Sequence, residues 1–97
     1  MKREKVIKQL QAVKEQLLKQ YGVVSLTLFG SLARDEATES SDVDLLVEFS
    51  GALTYDRYIQ TKFFLEDFLG CPVDLVMPET LKPAIRPQVE KEALRVT

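Results

Sequence analysis

An apolar, β-branched run at residues 23–29 stops at Gly30-Ser31, and after ten further residues Asp42-Val43-Asp44 opens a second run, 42–49. The break and the restart mark two strands. In the second, Val43, Leu45, Val47 and Phe49 point one way and Asp42, Asp44, Leu46 and Glu48 the other, because successive strand side chains alternate. Asp42 and Asp44 therefore share a face, their Cα atoms ~6.5–7 Å apart. A third apolar run, 72–77, carries Asp74 at its centre, where an aliphatic residue is the default. Any fold of this chain must find a place for these three carboxylates.

Helical patterns fill the intervals. Val6, Leu10, Val13, Leu17 and Tyr21 recur at three- and four-residue steps, with Ile7 and Leu18 beside them. They predict an amphipathic helix over 2–20, ended by Gly22. Ser31 is the expected N-cap of a short helix over 32–37, with Asp35 and Glu36 in its first turn. Residues 38–41 read as a polar loop and Ser50-Gly51 as a turn. A second long helix is expected over 55–69, with Tyr55, Ile59, Phe63, Phe64 and Phe68 toward the core and Gly70 as its stop. After a loop at 78–83, a last helix is expected over 84–96, with Ile85, Val89, Ala93 and Leu94 on one side and Pro87 in its first turn. The order α-β-α-β-α-β-α predicts an α+β (α/β-like) fold, a small mixed three- to four-stranded sheet flanked by helices.

A chain of 97 residues is one domain, 1–97, burying ~64% of the surface it exposes unfolded. It has no room for a second, substrate-holding domain. Net charge is −2, so stable nucleic-acid binding is not expected. Lys2, Arg3, Lys5 and Lys8 read as a solvated helix face. The single cysteine, Cys71, cannot form an intramolecular disulfide and reads as a half-buried residue at a strand start. There is no histidine, which removes Ser-His-Asp and Cys-His catalysis and His-based zinc sites. A metal here must be bound by oxygen, which points to magnesium or manganese. No signal region or membrane-length run is present, so a cytoplasmic location is expected.

Two carboxylates converging on one face repel, and the repulsion raises one pKa or is relieved by a cation. If the third strand lies beside the second, Asp74 joins Asp42 and Asp44. Three carboxylates on adjacent strands suit a two-metal site, one metal holding a triphosphate and the other activating an attacking hydroxyl. Gly30 allows close approach of a ligand to the backbone. Ser31 offers a hydroxyl, with free N–H groups behind it, for phosphate oxygens. Arg34, one turn on, is placed to pair with a phosphate. Each part has a plainer reading: solvated edge acids, an ordinary turn, a loop cap at Asp74, a surface arginine. Arg34 and Ser41 divide between a direct role and local structure. The conjunction of all the parts favours the functional reading.

Gly30-Ser31-Leu32-Ala33-Arg34, continuing to Ser41-Asp42-Val43-Asp44-Leu45-Leu46-Val47, resembles the signature of the minimal nucleotidyltransferases of the DNA polymerase beta superfamily. The resemblance covers nearly the whole chain. One departure is Asp35, where many members carry Gly. The resemblance implies that Gly30 and Ser31 hold the nucleotide phosphates and that Asp42 and Asp44 bind Mg2+. Asp74 would complete the metal site and help deprotonate the acceptor hydroxyl. It also implies ATP as donor, two Mg2+ ions, and a HEPN-type ribonuclease toxin as partner. The chain would then be the antitoxin of a toxin–antitoxin pair, transferring AMP to a toxin tyrosine. A small domain with little surface to grip an acceptor fits a partner that brings its own. The alternatives are an antitoxin that neutralises by binding alone, and a transferase acting on a small molecule.

Overall fold

The computed structural model describes residues 2–38 and 41–97. Glu39 and Ser40, in the loop expected at 38–41, lie outside them. Four strands, β1 (Val23–Phe29), β2 (Val43–Phe49), β3 (Val73–Val76) and β4 (Leu94–Arg95), form one sheet in the order β3-β2-β1-β4. β1 is antiparallel to β2 and β4, whereas β2 and β3 are parallel. A parallel pair needs a crossover, and helix α4 (Tyr55–Leu69) supplies it. The expected mixed sheet is borne out.

The last element is a correction. The helix expected over 84–96 is split: α5 spans Arg86–Glu92, and Ala93 is already extended at φ −66°, ψ 139°. Leu94 and Arg95 then pair with Leu28 and Thr27 on the free edge of β1. Ladder hydrogen bonds along that edge override the helical pattern. The first helix is also interrupted. α1 (Arg3–Ala12) ends at Val13, α2 (Lys14–Gln16) follows, and a wider turn, Leu17–Tyr21, runs into left-handed Gly22. Val6, Leu10 and Leu17 nevertheless keep their core positions.

The main core lies between these helices, α4 and the face of the sheet that carries Leu26, Leu28, Val43, Leu45 and Val47. α4 presents only part of the stripe its aromatics suggest: Phe64 packs against the core. Tyr55 and Phe63 are 76% and 60% exposed, and Phe68 is also exposed, while Thr61 and Leu65 are fully buried. The Thr61 hydroxyl donates to the Arg57 carbonyl at 2.7 Å, so a polar residue sits in the core with its donor satisfied. On the other face of the sheet, Phe29, Leu81 and Val89 form a small cluster with Leu46 and Val76. This cluster seats α5 against the end of β1. Among the described residues, no helix is long and apolar enough to cross a membrane.

Candidate functional site

The small cluster and the acids share one face of the sheet. Phe29, the last residue of β1, pairs with Asp44 on β2, and Asp44 is in register with Asp74 on β3. Asp74 thus stands beside Asp44, the juxtaposition the sequence required only if the two strands were neighbours. Asp42 sits one residue before β2; it and Asp74 are exposed, and Asp44 is half-buried. β3 is anchored by α4. The Tyr58 hydroxyl donates to the Leu75 carbonyl at 2.6 Å, and the Val73 N–H donates to Glu66 Oε2 at 3.0 Å. These two bonds bracket Asp74 and fix its height along the sheet.

Gly30 has φ +77° and begins a single helical turn, α3 (Gly30–Ala33), whose N-cap is Phe29. Ser31 is therefore inside the turn and does not cap it, a correction to the expected 32–37 helix. Position 30 takes glycine because a β-carbon there would overlap Oδ2 of Asp44. Glycine is what lets the chain close over that carboxylate. Four residues carry little macrodipole, so what the turn offers a phosphate is amide groups and the Ser31 hydroxyl.

Arg34 is already engaged. Its Nε donates to Glu36 Oε2 at 3.0 Å and its Nη1 to Glu92 Oε2 at 2.8 Å. The other Glu92 oxygen accepts the Gly30 N–H at 3.1 Å. Ser41 closes a turn before Asp42: its hydroxyl accepts the Thr38 N–H at 2.9 Å and its own N–H donates to the Thr38 carbonyl at 3.0 Å. Both residues stand in local structure beside the acids. Glu92 escaped the sequence reading because it lay inside a helix expected to run to 96. Its spacing was a usable signal, since it follows buried Val89 by three residues and shares its side of α5.

The site is short of positive charge. Burial, and then the neighbouring Asp74 and Asp42 carboxylates, push the Asp44 pKa up to about 6; Glu92 adds to the rise and Arg34 opposes it. Among the described residues, no three acids are drawn together closely enough to grip an ion. An all-oxygen set that resists its own ionisation fits a hard divalent cation. A groove of about 770 Å3 is lined by Tyr21, Gln60, Phe63, Phe64, Glu66 and Asp67, and by none of the three acids.

A model of the nucleotidyltransferase domain matches residues 7–96. The chain is 41% identical over 87 residues to a protein adenylyltransferase, MntA, of Thermococcus cleftensis, covering 90% of this chain and 88% of that one. A solved minimal nucleotidyltransferase superposes with a TM-score of 0.80 at 40% identity, covering 97% and 95% of the two chains. A Shewanella oneidensis structure described as a tri-AMPylated HEPN toxin in complex with an MNT antitoxin shares the fold, with a TM-score of 0.65 at 19% identity over 94% of this chain and 71% of that one.

Proposed function

The chain belongs to the nucleotidyltransferase domain family, and from that premise we propose that it transfers AMP from ATP, with Mg2+, to a tyrosine hydroxyl of a HEPN-type toxin and so acts as its antitoxin. The observation that carries this reading is the register of Asp44 with Asp74, directly beneath the Gly30 turn. Asp42, Asp44 and Asp74 are the residues that would hold two Mg2+ ions. Bound there, the metal supplies the charge that neutralises the triphosphate and the leaving pyrophosphate.

The acceptor oxygen attacks the α-phosphorus, the bond to the bridging oxygen of the β-phosphate breaks, and pyrophosphate leaves. The hydroxyl proton passes to the Asp74 carboxylate, which is exposed and can release it to water. Ser31 and the amides behind Gly30 take phosphate oxygens. Arg34 and Ser41 support the turn around them. Both outer acids open to solvent, so the acceptor can come from another protein's surface. The Thermococcus relative's activity and the Shewanella pair support that class of acceptor.

The test is incubation of the protein with its HEPN-type partner, labelled ATP and magnesium. Label is expected on the partner and absent with Asp42→Ala/Asp44→Ala. No transfer above the double variant overturns the reading. If the double variant still neutralises the toxin in cells, neutralisation is by binding alone.

A further inference from the structure

We infer that Glu92 is the positioning residue of the nucleotide site, an inference that rests on the function proposed above. Gly30 is held from two sides by carboxylates of two elements. Asp44 of β2 fills the space of its missing β-carbon, and Glu92 of α5 accepts its N–H at 3.1 Å. The same Glu92 side chain, 13% exposed, takes Arg34 Nη1 on its second oxygen at 2.8 Å. One carboxylate therefore fixes both ends of the α3 turn, the amide that opens it and the guanidinium that follows it.

The anchor is rigid because α5 is seated by Val89 in the cluster with Phe29 and Leu81, one turn before Glu92. The Phe29–Gly30 peptide plane, one ahead of the unit that carries the Ser31 amide, is thereby set by the far end of the chain. Pairing with Arg34 also matters electrostatically. Glu92 alone adds negative charge beside Asp44, and Arg34 offsets it. The pin thus holds the turn without deepening the repulsion among the acids.

The probes are Mn2+ alone and AMP-PNP with Mg2+, titrated into the full chain. Glu92→Ala is expected to weaken AMP-PNP binding roughly tenfold or more, since it removes two contacts involving charged groups. Glu92→Gln keeps one acceptor, and a roughly threefold loss is expected. Mn2+ binding without nucleotide is expected to stay within about twofold, because the three acids are untouched. In the transfer assay KM rises more than kcat falls. The Gly30 amide proton, followed by NMR, gives a readout without nucleotide: its exchange with solvent accelerates in both variants.

Unchanged AMP-PNP affinity in both variants overturns the inference. So does tighter binding, which would make Glu92 a competitor of the phosphates, and so does a parallel loss of Mn2+ binding, which would make it a general structural support. If Glu92→Ala fails to fold, Glu92→Gln carries the same test. A wild-type chain that binds no AMP-PNP overturns the proposed function instead, and the Gly30 amide still reports whether Glu92 sets the turn.

Discussion

Two glycines bracket β1, Gly22 at φ +73° and Gly30 at φ +77°, and at each a charged side chain from elsewhere fills the space of the missing β-carbon. At Gly22 it is the Arg57 guanidinium, and at Gly30 the Asp44 carboxylate. Arg57 makes three hydrogen bonds to backbone carbonyls. Its Nε donates to the Tyr21 carbonyl at 2.8 Å, its Nη1 donates to the Ser50 and Ala52 carbonyls at 2.8 and 2.9 Å, and it lies 5.4 Å from the centre of the Phe49 ring. Asp44 has Asp74, Asp42 and Glu92 around it and, among the described residues, Arg34 in opposition. The same backbone device thus serves two ends. One engages its charge and locks loops together, while the other leaves its charge opposed by like charges, as the proposed metal site requires.

The contrast breaks if the Gly30 end proves to be structural. Asp42→Ala/Asp44→Ala is expected to lower AMP transfer by roughly a thousandfold or more, since it removes the groups proposed to hold the metal. The melting temperature should hold steady or rise. A collapse in stability with the loss of activity would place these acids in the same class as Arg57.

Arg57→Ala is the mirror experiment. It removes three charge-assisted hydrogen bonds, two of them exposed, and is expected to cost about 2 kcal/mol, or roughly 10 °C in a domain of this size. Transfer per folded molecule should be unchanged. Chemical denaturation paired with the label assay checks both halves, and a specific activity loss would mean that the two ends are coupled through β1.

How much of this was legible follows the same division. Alternation placed Asp42 and Asp44 on one face, and the lone acid in an apolar run pointed to Asp74, because patterns of period two report directly on faces. Which strands were neighbours was not readable, so the Asp44–Asp74 register needed the fold. Thr61 was hidden by its aromatic neighbours, because its hydroxyl is satisfied within its own helix. Arg57 was invisible for another reason: its partners are backbone carbonyls, which leave no mark in the sequence. Glu92 was overlooked despite its spacing from Val89, because its partners, the Gly30 amide and Arg34, lie far away in sequence. β4 was missed because what ends α5 is an open strand edge, not a local stop signal.

A smaller effect tests the opposed charge itself. Asp44 has a pKa of about 6, above the 3.8 of a free side chain, so the folded chain binds this proton more tightly than the unfolded one. Without divalent cations, Asp44 therefore makes stability fall as pH rises from about 4 to about 6, and level off above. Asp44→Asn is expected to abolish that decline, leaving the melting temperature at pH 7 unchanged or raised by roughly 2–5 °C once solvent screening is allowed for. At pH 4 the two proteins should converge. A clear drop at pH 7 would show that Asp44 is a structural hydrogen-bond acceptor, as Glu66 is for Val73.

The smallest effect lies at Asp35, which follows the Gly30 turn at φ +61° and is exposed. It is the one non-glycine among the described residues with a positive φ, and it occupies the position where the family resemblance led us to expect Gly. An L-residue there pays for a crowded β-carbon, though Asp tolerates this region better than most. Gly relieves the crowding but adds freedom to the unfolded chain, so the two effects partly cancel. Asp35→Gly is expected to stabilise by only about 0.5 kcal/mol, and Asp35→Ala to destabilise by a similar amount, in urea unfolding. Because Glu92 and Asp44 hold the turn at its other end, neither change should alter AMP transfer by more than about twofold. A larger change would mean that the turn is set from Asp35 rather than from Gly30.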